Sequence, residues 1–412
     1  MTAQPLRFSV IVASRERPLW LRRCLRAIAA LDYPAFEVVV VADPAGLADI
    51  ATSGAKAVPF DEPNLAKARN AGIAAAAGEV CAFIDDDAVP EPLWLVHLAD
   101  AFSATGADAV TGFVRGRNGI SFQSRVASVD AEAETHVEPG DGETPFVPAL
   151  APGRALKLVG TNMAVRRDVL AEIGGFDEML RFFLDDTDLS LRLARAGKRL
   201  AVAPLAEVHH AFAPSARRTA LRAPTDLYDI GRSTAIYLGR HLGRADAEWF
   251  ERLETRERAR LIRHMIAGTC EPRDVEPRMV RLAEGWKEGK GRPLAEIRLP
   301  ASPQTDFTPM TPAPPGHRIV SALFLWRRRR MLREAEKVAR TGQRVTFLSF
   351  SLTPVRHHLR YTPSGVWVQT GGLWGRSVRS GPFIVWCRFA KRARQEIRRV
   401  AKVRGFGDSV SL

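Results

Sequence analysis

The sequence predicts an α/β fold with a mixed, mostly parallel sheet flanked by helices. Over its first half, short apolar runs alternate with segments whose apolar residues recur every three or four positions, the pattern of repeated strand–helix–strand units. The run Phe36–Val41 is predominantly apolar, as expected for a strand covered on both faces. Aspartates directly follow two of these runs, and open parallel sheets place their ligands at such carboxyl ends.

The first strand–helix–strand unit lies at the start of the chain. Phe8–Ala13 is rich in β-branched residues and predicts a strand, and Pro18 opens an amphipathic helix, since proline is favoured at the first helical position. Phe36–Val41 is the second strand. This order predicts a parallel pair joined by a right-handed crossover.

The same alternation continues as far as a last short strand near residue 203. From Arg115 to Leu156 the periodicity is lost, and so long an irregular stretch is typical of a binding loop or lid. The predicted strands are Val80–Asp85, Ala109–Val114, Leu158–Val165 and Leu200–Ala203. The predicted helices are Asn64–Ala77, Leu93–Phe102, Arg167–Ile173 and one that starts within Phe182–Leu189 and ends at Gly197.

The length of 412 residues predicts more than one domain. We expect an α/β domain over 1–215, a helical extension over 216–299, a Pro-rich linker over 300–316 and a basic, α/β or helical region over 317–412. In this last region Ile319–Trp326 and Val345–Leu352 resemble strands on either side of a helix that runs to Thr341. Residues 317–412 contain 21 Lys and Arg against 4 Asp and Glu, a net charge of +17, whereas residues 1–316 have a net charge of −3. The basicity therefore belongs to the C-terminal region.

Several classes of site and location are disfavoured by the sequence. The four cysteines, Cys24, Cys81, Cys270 and Cys387, form no CxxC pair, which argues against a zinc site or a disulfide framework and suits a reducing cytoplasm. The chain shows no signal-peptide layout and no apolar run of the roughly 18–20 residues that a membrane span needs, so we expect it on the cytoplasmic side. A dinucleotide fingerprint and a P-loop are also absent from the sequence.

Three consecutive aspartates, Asp85, Asp86 and Asp87, end the strand that starts at Val80. Because side chains alternate along a strand, Asp85 and Asp87 should point to one side and Asp86 to the other. Mg²⁺ or Mn²⁺ would relieve the repulsion between the carboxylates and leave positions for phosphate oxygens. The alternative is a solvated acidic turn.

Residues 8–212 resemble the family 2 glycosyltransferases, the inverting enzymes with the GT-A fold. Five blocks in this order carry the resemblance: Ser9–Val12 with the Arg-rich turn after it, Val38–Asp43, Ala68–Gly72 with Gly78–Glu79, Phe83–Asp87 with Pro90 and Trp94, and Gly160–Asn162 through Gly174–Asp177 to Asp185–Asp186. The resemblance covers about half the chain. It implies a nucleotide-sugar donor of the UDP-, GDP- or dTDP- type and a glycan or lipid-linked acceptor.

On this resemblance, donor-binding residues follow the first strands of the sheet. Ala13, Ser14 and Arg15 would line the base pocket, Asp43 would accept hydrogen bonds from the base or ribose, and Arg69 would support the pyrophosphate. Asp85 and Asp86 complete the predicted donor set. Where the family usually has the first of two acids after the second strand, this chain has Ala42, which leaves the base open.

The resemblance also implies a metal set and a catalytic base. Asp85 and Asp87 match the family's Asp-x-Asp pair, and His210 would complete the metal shell or touch the diphosphate; a structural histidine, or His209 in its place, is the alternative. Asp186 would be the base, with Asp185 replacing the usual Glu, although Asp185 and Asp188 could simply cap a helix. Thr161, Asn162 and Asp185 would lie on the acceptor side.

The basic C-terminal region interleaves cations with aromatic residues over Phe383–Arg394, a pattern that suits contact with an anionic membrane surface. A solvated basic helix face is the alternative, and no nucleic-acid motif accompanies the charge. We therefore predict a metal-dependent inverting glycosyltransferase, peripheral on the inner face of the plasma membrane, that acts in surface polysaccharide or glycolipid assembly. The competing hypotheses are a catalytically silent GT-A module that binds a nucleotide sugar and, third, a sugar nucleotidyltransferase.

Overall fold

The computed structural model describes residues 4–48, 50, 54–293, 298–299, 303–311, 313–314, 316–322 and 325–406. Twelve strands form the sheets of the N-terminal half, and nine of them belong to one twisted sheet. They are β1 (Phe8–Ser14), β2 (Phe36–Ala42), β3 (Lys56–Pro59), β4 (Val80–Asp85), β5 (Ala88–Pro90), β6 (Ala109–Arg115), β7 (Phe122–Ser124), β8 (Ala127–Val129), β9 (Thr135–Val137), β10 (Ala155–Leu156), β11 (Met163–Arg166) and β12 (Leu200–His210).

Helices cover both faces of this sheet, and local chemistry sets their ends. They are α1 (Pro18–Ile28), α2 (Pro44–Leu47), α3 (Leu65–Ala75), α4 (Trp94–Thr105), α5 (Arg167–Ile173) and α6 (Asp185–Arg195). Pro18 opens α1, and the Asn64 side chain accepts a hydrogen bond from the Lys67 N–H at the start of α3. Gly174 ends α5 in the left-handed conformation, as the sequence predicts.

The strand order is β3-β2-β1-β4-β11-β6-β12-β5, with β7 paired to β6. Strands β3, β2, β1 and β4 are parallel, and β11 runs antiparallel to both of its neighbours. The mixed, mostly parallel sheet is confirmed. Because Ala13 of β1 is in register with Asp85 of β4, the carboxyl ends of these strands meet at one edge.

Three sequence predictions about strands are wrong. The predicted strand Leu158–Val165 is reduced to β11, and the predicted short strand Leu200–Ala203 extends through His210 as β12. The predicted irregular stretch 115–156 contains β7 to β10, whose lengths of two or three residues are too short to show periodicity. β10, β8 and β9 form a separate small sheet.

Three helices follow the sheet, as predicted for 216–299: α7 (Tyr228–Leu242), α8 (Ala247–Ile266) and α9 (Val275–Lys290). α7 and α9 approach closely because Gly285 faces the α7 backbone; a Cβ at Gly285 would lie 2.0 Å from the Tyr228 carbonyl oxygen. Their core includes Leu191 of α6, so the helices pack directly on the helix that carries Asp185 and Asp186.

The C-terminal region has an α/β fold of its own, which the sequence indicated only as far as one strand–helix–strand unit. Its elements are β13 (His317–Ala322), α10 (Leu325–Arg340), β14 (Arg344–Ser351), β15 (His358–Tyr361), β16 (Val366–Gly372) and α11 (Phe389–Arg404). The sheet order is β13-β14-β16-β15; the first three strands are parallel and β15 is antiparallel. Separate apolar clusters join α10 and α11 to this sheet.

The described part of the Pro-rich segment runs along the edge of the first sheet. Met310 N donates to the Phe36 carbonyl at 2.8 Å, and Thr308 N donates to the buried Glu37 carboxylate at 2.8 Å. The ends of the predicted linker, Pro300 and Pro315, lie outside the described residues, and the domain boundaries stay a prediction.

A buried charge network joins the C-terminal region to the main sheet. The Arg404 guanidinium of α11 donates to both oxygens of Glu91, at 2.8 and 2.9 Å, and both residues are fully buried. His209 Nε2 lies 2.8 Å from the same carboxylate, and the Trp367 ring contacts both His209 and Arg404. Burial alone would raise the pKa of Glu91, but Arg404 and His209 lower it well below its ordinary value.

Candidate active site

The carboxyl ends of β1 and β4, the last residue of β12 and the start of α6 surround a cavity of about 630 Å³. Seven predicted site residues line it in addition to Ala13: Arg69, Asp85, Asp87, Thr161, Asp185, Asp186 and His210. The folded chain thus brings together residues that are far apart in sequence, at the sheet edge where the alternating pattern places a ligand.

Asp85, Asp87 and His210 offer ligand atoms that all lie within 4.8 Å of one another. His210 Nε2 is 3.2 Å from one Asp87 oxygen and 3.9 Å from one Asp85 oxygen. Asp87 and His210 are buried, whereas Asp85 is partly exposed toward the cavity. Two carboxylates and one imidazole form a donor set that suits Mn²⁺ or Mg²⁺ and leaves coordination positions open to a diphosphate.

Asp86 points away from this cluster, as predicted, although Asp86 and Asp87 lie in the turn between β4 and β5 and not on the strand itself. Its carboxylate accepts a hydrogen bond from Ser14 Oγ at 2.6 Å and pairs with Arg17 at 2.6 Å, and it lines neither cavity. Burial raises the pKa of Asp86 to about 7, an increase that Arg17 opposes. We therefore correct its place in the predicted donor set: the geometry makes Asp86 an anchor for the β1 loop.

Two arginines face the metal-candidate carboxylate Asp87. Arg17 lies 3.7 Å and Arg218 lies 3.5 Å from Asp87 Oδ2, and the Ala213 N–H donates to the same oxygen at 2.6 Å. Burial alone would raise the pKa of Asp87, but His210 and Arg17 lower it well below its ordinary value. Arg218 is not among the residues predicted from the sequence, because it lies in a segment after β12 without periodicity; the adjacent pair Arg217-Arg218 is the available signal.

Asp186 is the second residue of α6, and its side chain lines the cavity. One of its oxygens accepts a hydrogen bond from the Gly160 N–H at 3.0 Å, and the other lies 3.2 Å from Thr187 Oγ1. Leu184, immediately before the helix, has a φ of 67°, a left-handed conformation that is uncommon for leucine and turns the chain into α6.

Arg69 links the metal-candidate side of the cavity to the α6 side. Its guanidinium pairs closely with Asp185, lies 3.3 Å from Asp85 and donates to the Gly160 carbonyl at 3.1 Å. Burial raises the pKa of Asp185, and Arg69 opposes the increase. Arg69 therefore acts as a rigid cationic bridge between the two acidic groups.

Asp188 has a structural role one turn further along α6. It is fully buried, and its carboxylate contacts Arg192 at 2.7 Å and His241 at 2.9 Å. These contacts lower the pKa of Asp188 although its burial acts in the opposite direction. Asp188 lies away from the cavity lining.

A second cavity, of about 430 Å³, adjoins the first and shares Ala13, Arg17, Leu65 and Phe182 with it. Ala13, Ser14 and Arg15 line it, and the rings of Phe60 and Phe182 offer flat apolar surface. Asp43 lies beneath the lining: it is buried, and its carboxylate accepts a hydrogen bond from the Glu16 N–H at 3.2 Å. Direct contact of Asp43 with a base or ribose therefore remains a prediction.

On the predicted acceptor side, Thr161 and Asp185 line the larger cavity, but Asn162 does not. The Asn162 amide is fully buried; it donates to the Phe113 and Ala206 carbonyls and accepts from Trp94 Nε1 at 2.8 Å. We correct its predicted role: Asn162 joins β6, β12 and α4. The same cavity is lined by three residues that were not predicted from the sequence, Lys157, Arg256 and Glu257.

Comparison with known proteins identifies relatives for the part of the chain that carries this site. The family model described as "Glycosyltransferase like family 2" matches residues 5–223. A pre-mycofactocin glycosyltransferase of Mycobacterium tuberculosis is 31% identical over 154 residues, covering 35% of this chain and 29% of the relative. An N-acetylglucosaminyl-diphospho-decaprenol L-rhamnosyltransferase of the same organism is 38% identical over 95 residues, covering 22% and 30%. The chain thus spans less than a third of the length of these two relatives.

Two further similarities complete the comparison. The succinoglycan biosynthesis protein ExoM of Rhizobium meliloti is 29% identical over 233 residues, covering 51% of this chain and 68% of the relative. The crystal structure of S. aureus TarS 1–349 in complex with UDP-GlcNAc is 18% identical, with a TM-score of 0.41, and the match covers 69% of this chain and 93% of that chain. Because the family model matches more than half of its residues, the chain belongs to glycosyltransferase family 2 and has the mixed α/β GT-A fold of these enzymes.

Proposed function

We propose that this glycosyltransferase moves a sugar, with inversion, from a nucleotide-diphosphate donor to a glycan or lipid-linked acceptor, with Mg²⁺ or Mn²⁺ as its cofactor. The observation that carries the proposal is the convergence of Asp85, Asp87 and His210 on the cavity that also contains Asp186. A donor diphosphate beside the first three residues would place its sugar toward the fourth.

Different residues have different roles in a direct displacement at the anomeric carbon. Asp186 accepts the proton of the acceptor hydroxyl as that oxygen attacks the anomeric carbon, and the Gly160 N–H holds the carboxylate in place for this step. Arg69 keeps Asp185 paired, so that Asp186 is the carboxylate at the start of α6 that is left to take the proton. Asp85, Asp87 and His210 would hold the cation, which supplies electrostatic stabilisation of the departing diphosphate.

Arg17 and Arg218 belong to the same proposal as diphosphate-binding cations. Both line the cavity and both approach Asp87. A metal cation bound to Asp87 would compete with the two guanidinium groups for the negative charge of this carboxylate. The guanidinium groups would then be available to bind the phosphate oxygens of the donor, which suit arginine well. The adjoining cavity with Ala13, Ser14 and Arg15 would take the nucleoside.

The acceptor class rests on the named relatives. One of them acts on a lipid-linked sugar and another takes part in succinoglycan biosynthesis. We propose an acceptor of this kind, used on the cytoplasmic side of a membrane, with the basic C-terminal region in contact with an anionic lipid surface. In the described part of the chain, no helix is both long enough and apolar enough to cross a bilayer.

A thermal-shift screen of UDP, GDP and dTDP with and without Mn²⁺ tests donor binding, followed by turnover of the matching sugar nucleotides. We expect a nucleotide shift that requires Mn²⁺ and is lost in Asp87→Ala. Turnover should be lost in both Asp87→Ala and Asp186→Asn, while Asp186→Asn keeps the nucleotide shift. Unchanged turnover in both variants would remove the mechanism. Nucleotide binding without turnover in the unmodified protein would instead favour the silent module.

A further inference from the structure

An exposed apolar and basic surface occupies the carboxyl edge of the C-terminal sheet. β14 ends at Ser351 and β16 at Gly372, and the loops after them pack together at this edge. Gly372 N donates to the Val355 carbonyl at 2.8 Å, and Val385 N donates to the Trp374 carbonyl at 2.9 Å. We call the three loops 352–356, 373–379 and 383–388 the edge patch.

The edge patch exposes large apolar side chains, which a loop that contacts only water does not need. Trp386 is 75% exposed and Phe383 is 68% exposed, and the Trp386 ring packs against that of Trp374 at 5.0 Å. The other exposed apolar side chains of the patch are Leu352, Val355, Val378 and Ile384. A contiguous apolar surface of this kind marks an interaction site.

Cations surround these apolar side chains, and acids are missing. Arg376 lies 4.2 Å and Arg356 lies 6.0 Å from the centre of the Phe383 ring. Arg388 and Lys391, at the start of α11, are exposed. The sequence contains no Asp or Glu between Glu336 and Glu396, and Glu396 itself is buried against Arg392 and Arg399. The three loops of the patch therefore carry cations and no carboxylate of their own.

We propose that the edge patch is the membrane-docking site of this protein, and that its partner is an anionic lipid surface. Exposed tryptophan and phenylalanine enter the boundary between headgroups and acyl chains, while the surrounding arginines and lysine meet lipid phosphates. The absence of carboxylates favours a uniformly anionic partner over a protein with mixed charge. This proposal rests on the proposed function and locates its membrane contact. An enzyme that acts on a lipid-linked acceptor has to reach the membrane surface where the acceptor lies.

The test uses the intact chain, because the C-terminal region is built into the catalytic domain through Glu91 and Arg404. Truncation before residue 317 would leave Glu91 buried without its partner and would confuse misfolding with loss of binding. Point variants of side chains that are exposed, or in the case of Arg376 partly exposed, avoid this problem. Phe383→Ser with Trp386→Ser removes the aromatic part, and Arg356→Gln with Arg376→Gln removes two cations.

Flotation with vesicles of phosphatidylcholine alone, or with about 30% phosphatidylglycerol, measures docking. We expect the protein to float with the anionic vesicles at low salt and to stay behind with the neutral ones. The two arginine substitutions should together weaken binding at least tenfold, because one cation near an anionic surface contributes about fivefold. The two aromatic substitutions should also weaken it, because they remove the apolar surface that enters the headgroup boundary. The matched control for the aromatic pair is Ile266→Ser with Val280→Ser, both exposed outside the patch, and Arg244→Gln with Arg252→Gln is the control for the cations.

Three outcomes would overturn the proposal. The first is that the unmodified protein ignores anionic vesicles, and the second is that patch variants float as well as the controls. The third is that duplex DNA, and not vesicles, binds in a way that the patch variants abolish, which would assign the patch to nucleic acid. The nucleotide thermal shift is measured without lipid, so its loss or retention reports on the proposed transferase function separately.

Discussion

Replacing Arg404 with methionine tests how the C-terminal region is joined to the catalytic domain. Arg404 and Glu91 lie 313 positions apart in the sequence, yet both are fully buried and form a two-bond ion pair. Methionine has a similar length and keeps much of the packing against Trp367, so the substitution mainly removes the charge. Glu91 then keeps a buried negative charge with His209 as its remaining partner.

The expected loss of stability follows from that uncompensated charge. Breaking a buried ion pair by removing one member costs about 3–5 kcal/mol, whereas removing both members can be close to neutral. We therefore expect Arg404→Met to lower the free energy of unfolding by about 4 kcal/mol. The double variant Glu91→Gln with Arg404→Met should lose less than the single variant, because no buried charge is left.

Urea unfolding of the three proteins, followed by tryptophan fluorescence, measures these differences. Glu143→Gln is the control: Glu143 pairs with Lys402 of α11 across the same junction, and both side chains are more than half exposed. An exposed pair contributes about 0–1 kcal/mol, so this control should change little. If Arg404→Met and Glu143→Gln cost the same, or if the single and double variants are equally unstable, the buried-charge reasoning is wrong.

The remaining predictions concern the site and its supports. Asp186→Asn should lower kcat by about 10²–10⁴-fold with little change in nucleotide affinity, measured by turnover and calorimetry. Asn162→Ala should lower the free energy of unfolding by about 3 kcal/mol, because it leaves the Trp94 indole and two carbonyls without partners; urea titration measures it. Burial lowers the pKa of His357 to about 4, so its contribution to stability is complete above pH 6.5 and is lost as the pH falls toward 4. Between pH 6.5 and 5 this loss is about 2 kcal/mol, and His357→Gln should remove that part of the pH dependence; an unchanged slope would contradict the assignment.

Local chemistry made much of the first sheet predictable. Strands β1, β2 and β4 are apolar runs with clear ends, and α1 and α3 begin at Pro18 and Asn64, residues with a known preference for helix starts. The expected alternation separated Asp85 and Asp87 from Asp86, and their side chains do diverge, although β4 ends at Asp85 and the other two aspartates lie in the following turn. These features depend on neighbours within a few residues.

The features that sequence reasoning missed depend on distant contacts. Arg218 reaches Asp87 only because the segment after β12 folds back over the sheet edge. The sequence does not distinguish an asparagine that contacts a substrate from one that hydrogen-bonds buried groups of the protein. Only the fold shows that Asn162 bonds two backbone carbonyls and the Trp94 indole. The Glu91–Arg404 pair leaves no local pattern at either position. Short strands such as β8 and β9 were not predicted for another reason: three residues are too few to show the alternation of apolar and polar side chains.

The most direct measurement of the central claim is a calorimetric titration with the nucleoside diphosphate that gives the largest thermal shift, with and without Mn²⁺. The unmodified protein, Asp87→Ala and Asp188→Asn should be compared, because Asp188 is an equally buried aspartate outside the cavity. We predict binding that depends on Mn²⁺ in the unmodified protein and in Asp188→Asn, and loss of that dependence in Asp87→Ala. Equal Mn²⁺-dependent affinity in all three proteins would contradict a metal–diphosphate site at Asp85, Asp87 and His210.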